Sequence, residues 1–490
     1  MTQLLPELAK AQRYPALSLV IDGRHIGAGE RQTLDVIDPA TREVLAKLPV
    51  ATREDLDAAL EAAERGFRIW RGVSAFDRAR ILRRAADLIR ERAETIARWL
   101  TLEEGKPFSE SLQEVVHGAE IIEWSGEEAR RNYGRAVPAR RPDLTQVVVH
   151  EPIGPVAAFA PWNFPAVTPA RKLGGALAAG CSIILKPAEE TPGTALAFVQ
   201  ALLDAGVPPS AVAMVTGDPA MISSHLIASP VIRKISFTGS TAVGKHLAAL
   251  AAQGVKRATL ELGGHAPVVI CDDIDDVKSV AQVSLIAKIR NAGQVCASPT
   301  RFFVQQGIYD DFLQHFTDAA RALRIGHGLD EATQMGPLAN ERRLTAMSEF
   351  VADAVGRGAT VAAGGDYSGA HDGFFFVPAI LTDVPAGARV LCEEPFGPVV
   401  PVVRFTDLDE VIERANAVPW GLTAYAFTSR VDRARELGAR LEAGVVGINH
   451  FAIASPEVPF GGIKESGYGS ESGPEGVEAY LTTKLISTLG

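Results

Sequence analysis

KISFTGSTAVGKHLAAL, residues 234–250, joins a short apolar run to an amphipathic one through a turn of small residues, Thr238-Gly239-Ser240. The first part reads as a strand and the part from Thr241 as a helix. A helix that starts directly after a strand offers free N–H groups and the positive end of its dipole, a setting that suits phosphate. Gly239–Lys245 also spells G-x-x-x-x-G-K, all but the last position of a triphosphate loop. Such a loop needs Ser or Thr next, to hold Mg²⁺, and position 246 is His. The helix starts too early to leave room for the phosphate wrap, so a P-loop NTPase fails. The dinucleotide pattern G-x-G-x-x-G is absent too. Two readings of the glycine turn stay open: phosphate contact, or close strand–helix packing. On either reading Gly244 lies inside the helix and Lys245 is a solvated side chain.

The strand–helix alternation continues on both sides of this stretch. PVAAFA (155–160), SIILKP (182–187), AVAMVTG (211–217) and RATLELGG (257–264) are short apolar strands, with helical patterns in VTPARKLGGALAAG and GTALAFVQALLDAG between them. Strands apolar on both faces are those of a parallel sheet covered by helices. The pattern predicts a doubly wound α/β sheet of about five strands. A second α/β series starts at APVVICDD (266–273), with a helix over 277–290, strand TRFFVQ, a helix over 310–322, and the later strands GPVVPVVRF and AYAFTS. Before the first series lie LDVIDPATREVLAKLPV (34–50), two short strands around a turn, and amphipathic helices over 54–70, 77–104 and 110–132. VPARRPDLTQVVVHEP (137–152) is a Pro- and Arg-rich arm that ends in a strand.

The chain has 490 residues, too many for one hydrophobic core. Its net charge of −10 disfavours a nucleic-acid partner, which needs a basic surface. None of the four cysteines forms a C-x-x-C pair or has zinc-ligand spacing, so neither a metal nor a disulfide framework is expected. Glu7, Lys10 and Arg13 break up the N-terminal apolar residues, and the run 173–185 is too short to span a bilayer. A cytoplasmic protein without a membrane partner is the expectation.

Three residues invite a chemical reading. Cys296, in NAGQVCASPTR (291–301), sits in a polar, glycine-containing loop, where reactive thiols are found. Cys181 and Cys271 sit in apolar runs, as structural thiols do. Glu261 ends an apolar strand, where α/β ligand crevices form; it is a candidate base or a capping glutamate. Asn163, in APWNFP, is an oxyanion donor or an Asx-turn residue.

FAPWNFP, LKPAEETP, FTGSTAVGK, LELGGHAP, NAGQVCASPTR, EEPFGPVV and VPFGGIKESGYGSE together resemble the blocks of the NAD(P)⁺-dependent aldehyde dehydrogenases, in order and at the family's spacing, from about Val20 onward. The resemblance implies a Rossmann-like doubly wound cofactor domain (1–132 and 152–262), an α/β catalytic domain (263–466) and a small β oligomerisation arm (133–151 and 467–490) in a homodimer or homotetramer. It implies Cys296 as nucleophile, Asn163 and the Cys296 N–H as oxyanion donors, and Glu261 as the base for thioester hydrolysis. For the cofactor it implies Lys186 and Glu189 at the adenosine ribose, Gly239 and Ser240 at the pyrophosphate, Glu394 and Phe396 at the nicotinamide riboside, and Trp162 as a wall. A carboxylate at 189 favours NAD over NADP, because it accepts from a 2′-hydroxyl and repels a 2′-phosphate.

Arg171, Arg290 and Ser455 match positions that look like the substrate-carboxylate clamp of succinate-semialdehyde dehydrogenases. The blocks are similar to the subgroup acting on succinic and 2-oxoglutaric semialdehydes, so the expected substrate is a small aldehyde with a distal carboxylate. The alternatives are a broad-specificity or aromatic aldehyde dehydrogenase, or a catalytically silent protein on the same fold. Where some semialdehyde dehydrogenases carry a second cysteine two residues past the nucleophile, this chain has Ser298. No disulfide switch is expected.

Overall fold

Lys234–Thr238 is a fully buried strand and Thr241–Gln253 a helix, with Gly239 and Ser240 as the turn between them. The computed structural model describes residues 14–366 and 372–490. Five parallel strands run in the order Val212–Met214, Ile183–Lys186, Val156–Phe159, Lys234–Thr238, Arg257–Glu261. Chain direction across the sheet reverses between Val156–Phe159 and Lys234–Thr238, which opens a crevice at their carboxyl ends. Three short strands the sequence did not suggest as part of this sheet add antiparallel at its margins. Leu19–Ile21 and Arg24–Ile26 lie on one side and Gly467–Tyr468 on the other, against Leu260 and Glu261.

The second sheet has seven strands, in the order Thr360–Ala363, Ala379–Thr382, Val399–Phe405, Pro299–Gln305, Ala266–Ile270, Thr423–Phe427, Val445–Ile448. All its pairs are parallel except the first. The chain passes from the first sheet to the second through Leu262-Gly263-Gly264-His265, so Glu261 stands where the two meet. A third sheet joins Arg135–Val137, Leu144–Pro152 and Leu481–Leu489, all antiparallel.

Three local readings change. The expected helix over 77–104 is two, Ala75–Glu91 and Ala93–Glu104, because Arg92 leaves helical geometry (φ −105°, ψ 6°). The break turns Ile96, Ala97 and Leu100 onto the same core as Leu82, Ala85 and Ile89. Residues 467–480 do not join the arm: Gly467–Tyr468 extends the first sheet and Gly473–Glu478 is a short helix. Gly244, incidental in the sequence, packs the helix onto the sheet, since a Cβ there would lie 2.3 Å from Leu262 Cδ2. Lys245 is exposed and pairs with Glu465 at 2.8 Å. Among the described residues no helix is long and apolar enough to cross a membrane.

Candidate active site

The loop that carries Cys296 leaves the Val277–Ile289 helix through three consecutive left-handed residues, Asn291 (φ 48°), Ala292 (φ 51°) and Gly293 (φ 74°). Two of these are not glycine, and each costs about 1–3 kcal/mol, so the surroundings must hold them. They do so with hydrogen bonds. Asn291 N–H donates to Glu110 Oε2 (2.9 Å), Asn291 Nδ2 donates to the Asn163 carbonyl (2.9 Å), and Ala339 N–H donates to Gln294 Oε1 (3.0 Å). Asn163 Nδ2 donates to the Gln294 carbonyl (2.9 Å), two residues before the cysteine. Asn163 is thus bonded directly to the loop that carries Cys296. On the other side, a Cβ on Gly264 would sit 2.9 Å from the Cys296 carbonyl, so the strand ending in Glu261 abuts the same loop.

Glu261 is buried, its Oε1 lacks a hydrogen-bond partner, and burial pushes its carboxyl well above the usual range, aided by the charge of Glu471. Arg171 and Lys172 act the other way. Burial, then Glu261, push the Cys296 thiol up to about 12, with Arg171 opposing. In each of the two groups a neighbouring charge adds to the proton affinity set by burial: the Glu261 charge acts on the Cys296 thiol, and the Glu471 charge acts on Glu261. Cys181 and Cys271 are buried, each pushed up to about 11, chiefly by burial.

The crevice beside this pair fits a dinucleotide. Ser240 is the N-cap of the Thr241–Gln253 helix but its hydroxyl makes no cap bond, and the residue before it is Gly239. Lys186 ends its strand in an ion pair with Glu189. Trp162 and Phe396 meet edge to face with centroids 5.6 Å apart. Phe396 has φ 47°, in a segment where Arg343 donates to the carbonyls of Pro395 and Phe396. Glu394, raised to about 7 by burial, accepts from Gly264 N–H at 3.1 Å.

Of the two arginines, Arg171 acts electrostatically on both Cys296 and Glu261. The Arg171 guanidinium lies 4.5 Å from the centre of the Phe460 ring and Arg290 lies 5.3 Å from that of Phe164. Arg171 is 9% exposed and its Nε has no hydrogen-bond partner, whereas Arg290 is exposed. Neither has an acidic partner within 4.0 Å among the described residues. Ser455 is half-buried and hydrogen-bonds Glu457.

The aldehyde dehydrogenase family profile matches residues 26–486. The chain belongs to the aldehyde dehydrogenase family. Among its relatives is the 4-(hydroxymethyl)benzenesulfonate dehydrogenase of Comamonas testosteroni, 48% identical over 96% of this chain and 98% of that one. The NADP⁺ succinate-semialdehyde dehydrogenase of Escherichia coli is 43% identical over 95% and 96%. Among solved structures, the succinate-semialdehyde dehydrogenase of Burkholderia pseudomallei superposes with a TM-score of 0.94, at 40% identity over 98% of this chain and 99% of that one. As an aldehyde dehydrogenase the protein is an oxidoreductase that acts on small aldehydes with NAD or NADP.

Some residues of this aldehyde dehydrogenase site escaped the sequence reading. Lys172 is fully buried and donates to Glu471 (2.6 Å), Thr238 Oγ1 (2.8 Å) and Ser236 Oγ (3.2 Å), setting a charged pair beside Glu261. The available signal was a second cation beside Arg171 in an otherwise apolar helix. Lys106, also buried, donates to Glu114 (2.6 Å) and to the Asn163 carbonyl (2.8 Å), fixing Asn163 from behind. Nothing in KPFSESLQE marks that role.

Proposed function

We propose that the protein oxidises an aldehyde bearing a distal anionic group to the carboxylic acid, with NAD⁺ as acceptor. The substrate class is an ω-oxo acid of four or five carbons, such as succinic or 2-oxoglutaric semialdehyde. The observation that supports this reading is that Arg171, buried and acting on Cys296, and the exposed Arg290 have no acidic partner within 4.0 Å among the described residues. A buried cation without a counter-ion is costly, and a bound carboxylate supplies one in the bidentate geometry arginine favours.

Cys296 Sγ bonds to the carbonyl carbon and its proton passes to water. Asn163 Nδ2 and the Cys296 N–H hold the oxyanion that forms. NAD⁺, when bound through Lys186, Glu189, Gly239, Ser240, Glu394 and Phe396, supplies the two-electron acceptor. Collapse of the oxyanion breaks the C–H bond, whose hydride that acceptor would take, and leaves a thioester on Cys296. Glu261 takes a proton from water, which adds to the thioester; the C–S bond breaks and the acid leaves. Trp162 and the buried walls exclude bulk water from the sulfur.

Arg171→Ala or Arg290→Ala is expected to raise KM for succinic semialdehyde about 10–100-fold, the value of one or two charge-assisted contacts, while changing KM for butanal little. Initial rates of NADH formation on both aldehydes check this, and equal losses on both reject the clamp. Because Glu189 meets the ribose as a carboxylate, kcat/KM for NAD⁺ is expected to exceed that for NADP⁺ by about tenfold or more. A ratio at or below one would overturn the preference.

A second reading keeps the anion and changes the body of the substrate. Phe164 and Phe460 lie beneath the two guanidinium groups, and a flat ring would stack between them. The relative named for an aromatic sulfonate favours an aromatic aldehyde with an anion opposite the formyl group. A panel of succinic semialdehyde, 4-formylbenzenesulfonate, benzaldehyde and butanal separates the two readings by kcat/KM.

A further inference from the structure

Glu110, Glu114 and His117 follow one another on the Phe108–Ala129 helix at spacings of four and three, which puts them on one face. The first two are tethers. Glu110 Oε2 accepts from the N–H of Asn291, the residue after Arg290, at 2.9 Å. Glu114 Oε1 accepts from the N–H of Ala166 (2.9 Å), where the helix carrying Arg171 begins. This helix face therefore holds both arginine-bearing segments. His117 comes next on it, and both guanidinium charges act on its ring.

The His117 side chain is 26% exposed, with Nδ1 3.2 Å from Glu120 Oε2. A carboxylate only accepts, so the neutral ring carries its proton on Nδ1 and presents a lone pair at Nε2. Nε2 has no hydrogen-bond partner among the described residues. We propose that His117 is a specificity-determining residue of the distal-anion cradle: it takes one proton from solvent as an anion binds at Arg171 and Arg290, and Nε2–H then becomes a third donor. The proposal rests on the reading that these arginines bind an anion.

In the free site, burial first, and then Arg171 and Arg290, hold the ring below its ordinary pKa, while Glu120 opposes them. A bound anion offsets the two guanidinium charges and is repelled by a bare lone pair, so it favours the protonated ring. The sign follows: anion affinity strengthens as pH falls towards the histidine range and weakens above it. On the Ala93–Glu104 helix, which packs on the Phe108–Ala129 helix, Glu103 accepts from the N–H groups of Gly193 and Thr194, Glu104 accepts from Lys106 N–H, and Arg98 lies over the Phe108 ring. Glu457, on the loop that carries Ser455, feels His117 directly. Lys106 is taken up by Glu114. The Ala75–Glu91 helix brings Arg83 and Arg90, which pair with Glu127 and Glu123. The short Gly473–Glu478 helix adds Glu475 and Glu478.

The test is kcat/KM for succinic semialdehyde divided by that for butanal, measured from pH 6 to pH 8.5 on the wild type, His117→Gln and Arg171→Ala. The substrate carboxylate stays ionised over this range, and the ratio cancels the titration of Cys296 and Glu261. In the wild type the ratio is expected to rise about fivefold as pH falls, and in His117→Gln it is expected to be flat. A flat wild-type ratio, or the same slope in His117→Gln, overturns the role of His117. Arg171→Ala is expected to lower the ratio at every pH. If it does not, the anion cradle itself is overturned, and the role of His117 with it.

Discussion

Cys296→Ala is expected to lower kcat for aldehyde oxidation by at least about 10⁴-fold while leaving NAD⁺ binding intact. The size of the loss follows from the loop geometry. Asn291, Ala292 and Gly293 all stand in the left-handed region, and Glu110, Asn163 and Ala339 hold that turn in place. That rigidity aims one sulfur, and no other cysteine substitutes for it. Cys181 and Cys271 are buried elsewhere, and the exposed Cys392 donates to the Ala386 carbonyl. Without the sulfur there is no covalent adduct and no oxyanion for Asn163 to hold. Steady-state NADH formation with saturating aldehyde measures the loss, and binding of NAD⁺ by calorimetry shows that the fold survives. Retention of more than about a hundredth of the activity is incompatible with a cysteine mechanism.

Glu261→Gln is expected to separate the two halves of the reaction. Acylation continues, so each site forms one NADH in a burst; thioester hydrolysis then slows by about 10²–10⁴-fold, the range for removal of a positioned base. Stopped-flow absorbance gives burst and steady state in one trace. Loss of the burst together with turnover would place Glu261 in acylation instead. The pH profile carries the same information. Burial and Glu471 push the Glu261 carboxyl well above the usual range, and a base works only once its proton is off. Steady-state turnover of the wild type should therefore climb with pH from the acid side, through that raised pKa rather than near 4. The Gln variant, which cannot titrate, should lose this limb.

How much of this was legible in the sequence varied with the range of the interaction. The five central strands were readable because each is apolar on both faces, which only a helix-covered parallel strand needs. Gly467–Tyr468 was not, since two residues carry no period; its place is set by its fit beside Leu260 and Glu261. The polar loop around Cys296 was visible locally, and the family blocks named its companions. The pairing of Lys172 with Glu471 joins positions 299 residues apart, and no window of sequence contains both. Gly244 was misjudged for a related reason. Its need for space comes from Leu262, a neighbour across the strand–helix contact rather than along the chain.

The segment after residue 460 has a bearing on the order in which this molecule comes to life. Ser466 accepts from Leu262 N–H through its carbonyl, while its hydroxyl accepts from Gly421 N–H and donates to the Gly263 carbonyl. Glu471 then neutralises Lys172, and the Tyr480 carbonyl accepts from Ile153 N–H. A chain stopped short of Ser466 already contains Cys296, Glu261 and both arginines. It lacks the brace between the sheets and leaves a buried ammonium without a counter-ion.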